Sequence, residues 1–490
     1  MAFLLCFVAG LVTVASFEPF SWSGIVFFSL AVLCYFFQQA ISKKQAFLYG
    51  IAFGYGMFGA GVSWVYVSLS TYGGMPLWMG SLAIIGFVGI LSLFCGFVGY
   101  FSVLLAPTSG IRRLVIIPPL WVIFEWLKGW VLTGFPWLDI GYTQTPTWFF
   151  SLAPIGGVYL ISFTVIVLSC LLVASVINKQ RIFYLLGIFI ITLLLWPLNQ
   201  LDWSEDSGQP LNIGLVQGNI PIELKWQADQ RDSFIRLYAD QSRMLHEQSP
   251  IDLFVWPETA LPLYRQQTDQ AFWNAITPPA SAVLTGIMDQ VKENEFYNAA
   301  VLSCGDQQQV YRKRHLVPFG EYLPLRFLFG WVLDYLQFPM SDFSSWQDTQ
   351  LLDCPGNINL SLSICYEDAF GSEWRHSIDD STILVNISED AWFGDSLAPH
   401  QRLQMAQMRA REFSKPLVRS ANTGPSVVID QRGNVLASTE QFVQQSISYR
   451  IQPQTGKTWY QRFGNWIIIL SFVVLIIVFT KNKVRKNAVT

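Results

Sequence analysis

Across its first 200 residues this chain carries three acids, Glu18, Glu125 and Asp139, and seven bases; residues 201–462 carry 31 acids and 20 bases. Charged residues make up 13% of the whole chain, about half the share usual in soluble proteins. A bilayer core of about 30 Å takes roughly 20 apolar residues in helical form. Seven apolar runs of about that size precede residue 200, at about 3–17, 24–41, 46–69, 77–105, 114–133, 148–177 and 182–199, and an eighth follows at about 463–480. That pattern excludes a wholly soluble enzyme, and the polar stretch excludes a protein that is membrane from end to end. The expected organisation is a membrane domain of seven transmembrane helices over 1–200, a polar domain over 201–462, and an eighth helix with a basic tail over 463–490. The first run has no Lys or Arg ahead of it and further runs follow at once, so it reads as a span, not a cleaved signal.

Orientation follows from the short loops. Lys43 and Lys44 follow the second run, Arg112 and Arg113 the fourth, Lys179 and Arg181 the sixth, and Lys481, Lys483, Arg485 and Lys486 the eighth. The loops near 18–23, 70–76 and 134–147 have no Lys or Arg. Both termini are therefore expected in the cytoplasm of a bacterium, with the polar domain across the cytoplasmic membrane in the periplasm. A net charge of −3 gives no sign of a nucleic-acid partner. Glu125 and Lys128 lie three residues apart in the fifth run and read either as a mutually neutralising pair or as a lipid-headgroup or anchoring site.

Cys6, Cys34, Cys95 and Cys170 fall in the apolar runs, whereas Cys304, Cys354 and Cys365 fall in the polar domain. Three cysteines leave at least one thiol free within one chain; whether Cys304 and Cys354 pair stays open. The absence of CxxC and HExxH, with four scattered histidines, argues against a metal site. The polar domain reads as α/β. Strands are expected at 211–217, 252–256, 282–287, 298–304, 358–365, 382–388 and 425–430, with amphipathic helices at 232–248 and 399–415.

Three places carry unusual chemistry. In Phe254-Val255-Trp256-Pro257-Glu258-Thr259 a carboxylate follows an apolar strand; it is either a loop acid or a base whose pKa desolvation raises. In Tyr311-Arg312-Lys313-Arg314-His315, three bases precede an apolar loop containing Glu321. They read either as a solvated face or as the source of an ammonium for an oxyanion. In Ser363-Ile364-Cys365-Tyr366-Glu367, a cysteine ends an apolar strand and is either packing or a nucleophile.

Taken together, a Glu, a Lys and a Cys in that order resemble the catalytic triad of the nitrilase, or carbon–nitrogen hydrolase, superfamily. VQGNI at 216–220, WPETALP at 256–262, KRHLVPFGEYLP at 313–324, SICYE at 363–367, DAWFG at 390–394 and FEWLKGWVLTGFPW at 124–137 are similar to the apolipoprotein N-acyltransferase family within it. The resemblance implies a bundle of eight membrane helices carrying an external α-β-β-α nitrilase-like sandwich. It implies Glu258 as general base, Lys313 as stabiliser of the tetrahedral intermediate and Cys365 as nucleophile. Glu321 and Glu367 match supporting acids, Tyr366 neighbours the nucleophile, and Trp226 and Trp392 match aromatic positions near substrate. Glu389 stands where Asn is expected, and Pro425 where an aliphatic residue is commoner.

The implied reaction moves a fatty acyl chain from a phospholipid to the α-amino group of an N-terminal diacylglyceryl-cysteine on an apolipoprotein. It passes through a Cys thioester and uses no cofactor, and the enzyme acts as a monomer. Residues 325–340 read either as a core helix or as a membrane-dipping arm in which Phe327, Trp331 and Phe338 face lipid. Two alternatives remain: a membrane-anchored amidase or esterase in which water attacks the thioester, and a non-catalytic transporter or receptor. Against the latter, Glu125 and Lys128 are few charges for an ion pathway.

Overall fold

The structure, a computed structural model, describes residues 1–323, 342–348, 350–355 and 358–487, with side chains described as far as Lys481. The chain divides into two compact units: Met1–Tyr66 with Pro76–Leu201 and Trp459–Thr490, and Val67–Met75 with Asp202–Thr458.

The first unit is helical. Its helices span Ala2–Thr13, Ile25–Gln39, Lys43–Gly61, Leu77–Leu105, Ile111–Lys128, Ala153–Ile177, Arg181–Asn199 and Trp466–Asn487. Among the described residues, three segments can cross a membrane by length and composition: Leu77–Leu105, Trp148–Ile177 and Arg181–Asn199. A fourth is added if Lys43–Gly61 and Val65–Tyr72, bent by 60°, form one broken span; Ala2–Ser16, Ile25–Gln39 and Trp466–Lys481 are shorter apolar helices. Helix Arg181–Asn199 buries only Leu195, as expected where hydrocarbon, not protein, is the solvent. Where helices do touch, small residues set the distance. A Cβ on Gly50 would stand 2.2 Å from the Cys95 carbonyl oxygen, so any other residue there would force two backbones apart.

Buried charge in this unit is matched by partners. Arg113 donates to the carbonyls of Phe37, Gln38 and Ala40 at 2.7–3.0 Å, satisfying the open C-terminal end of helix Ile25–Gln39. The expected pairing of Glu125 with Lys128 is corrected. Lys128 Nζ lies 2.8 Å from Asp139 Oδ1 and donates to the Trp137 and Phe135 carbonyls. Glu125 Oε1 instead accepts from Trp121 Nε1 and the Ile140 N–H. The loop after Lys128 folds back and delivers a closer acid than the one a helical turn away.

The second unit contains two six-stranded sheets. In the first, β2 (Leu211–Gln217), β3 (Leu253–Val255) and β4 (Ala282–Lys292) run parallel. Antiparallel β5 (Glu295–Cys304), β6 (Gln307–Arg312) and β13 (Gln445–Ile451) complete the order β13-β2-β3-β4-β5-β6. In the second sheet, β8 (Ile358–Ile364), β9 (Ile383–Ser388) and β10 (Leu417–Ala421) run parallel. With β7 (Leu352–Cys354), β11 (Val427–Ile429) and β12 (Val435–Ser438) the order is β12-β11-β10-β9-β8-β7. A short ribbon joins β1 (Glu205–Asp206) to β14 (Gln454–Thr455).

The sheets share one apolar core. Leu211, Ile213, Leu215, Val255 and Leu284 from the first face Leu360, Leu362, Ile364, Val385 and Val418 from the second. Alternate residues Val216, Phe254 and Val283 point the other way, onto Tyr238 and Leu245 of helix Arg231–Gln248. Helix Ala398–Phe413 packs on β10 of the second sheet, which gives the α-β-β-α layering. Cys304, ending β5, and Cys354, ending β7, form a disulfide that ties the two sheets together across 50 residues of sequence. Cys365 is the free cysteine of this unit among the described residues.

Candidate active site

Three chain turns at neighbouring strand ends converge. After β3, the Trp256 N–H still pairs with the Leu284 carbonyl, and Pro257 then ends the ladder. Glu258 packs over Gly286, where an added Cβ would come within 2.6 Å of the Glu258 Cα. That glycine is what lets the acid lie so close to β4. Lys313 is the first residue beyond β6, its N–H held at 2.8 Å by the Asn298 carbonyl. Cys365 is the first residue beyond β8 and takes a left-handed backbone, φ 52°, at a sharp turn into a 3₁₀ segment. A non-glycine residue in that region marks a turn imposed by its surroundings.

The side chains of Glu258 and Lys313 belong to one hydrogen-bonded network with Glu321 and Asn298. Lys313 Nζ lies 2.9 Å from both oxygens of Glu321 and 3.7 Å from Glu258 Oε1. Asn298 Nδ2 donates to Glu258 Oε1 at 2.6 Å and to Glu321 Oε1 at 2.9 Å, bridging the two acids. The second oxygen of Glu258 accepts the Glu389 N–H at 2.8 Å, and that of Glu321 accepts the Val317 N–H at 2.8 Å. Lys313 is only 1% exposed and Glu258 6%, so the solvated-face reading of the basic run fails at Lys313.

Burial fixes the protonation tendencies. It pushes the Glu258 carboxyl above its ordinary range, with Glu321 and Glu389 adding to the rise and Lys313 and Asn298 opposing it. Burial alone would lower the Lys313 ammonium, but Glu321, Glu258 and Cys365 reverse this and raise it, so it stays charged. The Cys365 thiol is pushed up to about 12 by burial and by Glu258, against the pull of Arg402 and Lys313. These influences favour a neutral thiol at Cys365 and a carboxyl at Glu258 that binds a proton more readily than an exposed one.

Glu367 stitches two of the turns together. Its Oε1 accepts the N–H groups of Arg314 and His315 at 2.7 and 3.1 Å, and its Oε2 accepts the Ile364 N–H and the Tyr311 hydroxyl at 2.7 and 2.9 Å. It thus fixes the backbone on the C-terminal side of Lys313 against that just before Cys365. Tyr366 is buried edge-on against His315 and Phe370, whose rings stack on each other at 3.9 Å. Trp226, half-buried, caps the short helix Ile222–Lys225. Phe327, Trp331 and Phe338 lie outside the described residues.

Sequence reasoning missed several members. Asn298 lies inside β5 and is one polar residue in an otherwise apolar run, the only signal it offered. Lys225 makes a buried ion pair with Glu389 at 2.5 Å and donates to the Glu258 carbonyl at 3.0 Å. Glu389, expected as Asn, is therefore neutralised, and Asn422 also donates to it. The segment Val67–Met75, read as the end of an apolar run and the loop after it, belongs to this unit. Ser68 donates to the Trp392 carbonyl at 2.8 Å, and the Tyr72 ring meets the Trp392 ring edge-on at 5.7 Å.

A model of the apolipoprotein N-acyltransferase N-terminal domain matches residues 9–171, and one of the carbon–nitrogen hydrolase domain matches residues 212–461. The apolipoprotein N-acyltransferase of Methylococcus capsulatus is 38% identical over 473 residues, covering 95% of this chain and 93% of that protein. This chain belongs to the apolipoprotein N-acyltransferase family. The enzyme of that name from Nitrosomonas europaea is 36% identical, covering 97% of this chain and 96% of its own, and that from Coxiella burnetii is 34% identical with 97% and 99% covered. The protein is a membrane-bound N-acyltransferase of lipoprotein biosynthesis with a nitrilase-like domain.

Replacing Glu367 by Gln puts an amide N–H₂ opposite groups that are themselves donors. Acyl transfer in the Glu367→Gln protein is expected to fall about 10²-fold or more, since misplacement by about 1 Å costs that much. A steady-state rate on a lipopeptide acceptor, alongside a thermal melt, checks this.

Proposed function

We propose that Glu258, Lys313 and Cys365 carry out acyl transfer from a phospholipid to the α-amino group of an N-terminal diacylglyceryl-cysteine. Glu258 takes the Sγ proton as sulfur attacks the ester carbonyl, and the negative charge that develops on oxygen faces the Lys313 ammonium. Collapse breaks the ester C–O bond; the leaving lysophospholipid oxygen takes the proton from Glu258, and a thioester remains on Cys365. The acceptor amine then attacks the thioester carbonyl and gives its proton to Glu258. The amide forms, and the departing sulfur recovers that proton. The observation that carries this reading is the buried Lys313 shared between Glu321 and Glu258, with the thiol of Cys365 in the same electrostatic network.

The same reading places eight membrane spans around the catalytic domain, over the bounds 1–200, 201–462 and 463–490, with both termini cytoplasmic, the domain periplasmic and the enzyme a monomer. The basic exits at Lys43, Arg112, Lys179 and Lys481 support the orientation. At the helix ends away from those exits stand the exposed tryptophans Trp22, Trp78, Trp130, Trp148, Trp196 and Trp459. Indole rings favour the membrane–water interface. A donor ester already carries the activated acyl group, so no nucleotide is required on that side.

The test uses purified full-length protein with phospholipid and a diacylglyceryl peptide. N-acyl peptide is expected from the native protein and none from Cys365→Ala or Cys365→Ser. Full activity in Cys365→Ala would end the reading, and free fatty acid in place of N-acyl peptide would favour hydrolysis.

The pH profile gives a second check. Glu258 must be ionised to act as base, and burial raises its carboxyl above the ordinary carboxylate range, so activity is lost as pH falls towards that raised value. In Glu321→Gln a negative neighbour disappears and the Lys313 charge acts more fully on Glu258. The acid limb of kcat/KM is expected to move to lower pH, read from initial rates over roughly pH 4–8.

A further inference from the structure

A cation other than Lys313 touches the sulfur. Arg402, on helix Ala398–Phe413, places Nη1 3.5 Å from Cys365 Sγ and Nη2 2.6 Å from the Cys365 carbonyl oxygen. Asp368 Oδ2 and Asp390 Oδ1, each at 2.8 Å, and the Ser388 hydroxyl hold the guanidinium in place. Arg419 on β10 pairs with the other oxygen of Asp390 at 2.5 Å and reaches Asp368 at 4.0 Å. All four charged side chains are at most 1% exposed.

We propose that Arg402 is a positioning residue for acyl transfer: it holds Cys365 in its left-handed turn and sets a fixed positive charge against the sulfur. This rests on the reading of Cys365 as nucleophile. A quartet of two acids and two bases could serve only to pack the helix, but two observations go beyond packing. First, the guanidinium grips both the carbonyl and the sulfur of one residue, so the direction of Sγ is tied to its fork. Second, the charges facing the sulfur are unequal in what offsets them. Lys313, from the end of β6, is already shared by Glu321 and Glu258. Glu258, after β3, and Asp390, after β9, oppose a thiolate, while Arg402 and Lys313 favour one, and Tyr366 adjoins the thiol as a neutral phenol. Arg402 alone among these is in contact with Sγ among the described residues. Sulfur gains negative charge when its proton passes to Glu258, and again when the amide forms and the thioester C–S bond breaks. A cation at contact distance stabilises it at both moments.

The rate of iodoacetamide capture of Cys365, followed on its peptide by mass spectrometry at about pH 8, reads the thiolate directly. Full-length protein is compared with Arg402→Gln, Arg402→Lys and the charge-balanced double variant Arg402→Gln/Asp368→Asn. A one-unit rise in thiol pKa cuts thiolate tenfold and makes the remainder somewhat more nucleophilic, so capture in both Gln proteins is expected to fall about three- to tenfold. Acyl transfer is expected to lose kcat, with KM for phospholipid little changed. Arg402→Lys keeps the charge and is expected to stay within about twofold of native capture.

A folded double variant that is captured at the native rate overturns the proposal, as does a folded Lys variant no faster than the Gln variant. If neither Gln protein folds, the Lys variant decides: native-like capture supports the proposal and a tenfold loss overturns it. Full acyl transfer by Cys365→Ser would instead sink the nucleophile reading itself.

Discussion

An ammonium ion buried as deeply as Lys313 is costly to desolvate and is kept only where acceptors surround it. Glu321 takes it with both oxygens, Asn298 bridges Glu321 to Glu258, and the Glu389 N–H fixes the far oxygen of Glu258. Each of these groups comes from a different part of the two sheets, so the network exists only when β3, β5, β6 and the loop after β9 are in register. The sandwich core supplies that register. Leu284 and Val255 pack against residues of the opposite sheet, and the chemistry sits where the parallel strands end. Glu367 completes the frame by binding the backbone beyond Lys313 and before Cys365 with three hydrogen bonds and the Tyr311 hydroxyl with a fourth.

On the mechanism proposed above, the network favours a resting thiol that keeps its proton and can pass it to Glu258. Burial and the Glu258 charge raise the thiol, and burial raises Glu258 in turn. Moving the proton from one to the other leaves Glu258 neutral and the sulfur negative beside two cations. The transfer therefore relieves one repulsion as it creates the nucleophile, and it needs no bulk water.

How much of this could be read in the chain depended on how local the signal was. The apolar runs and the helix 232–248 have periodicities that survive without tertiary context, and helix Arg231–Gln248 and β2 fall where expected. The short strands β7, β10 and β12 were missed, because three to five residues offer too little alternation to separate from loop. Glu258, Lys313 and Cys365 were singled out by motif resemblance, and each lies just past a strand. Asn298, Lys225 and Arg402 were not legible. Their roles depend on contacts with residues 40, 164 and 37 positions away, which no spacing rule reports. Lys128 shows the same limit from the other side. A helical i,i+3 rule pointed to Glu125 as its partner, and a returning loop supplied Asp139 instead.

The same division runs through the whole molecule. One unit has apolar helices with large exposed apolar side chains, and the other holds several of its charges in buried ion-paired clusters. Cys365 is where the account stands or falls. Intact and peptide mass spectrometry after incubating the protein with phospholipid, with no acceptor present, is expected to show one acyl group on Cys365, released by hydroxylamine. An acyl group mapped to another residue, or acyl transfer proceeding with no adduct on Cys365, would contradict it.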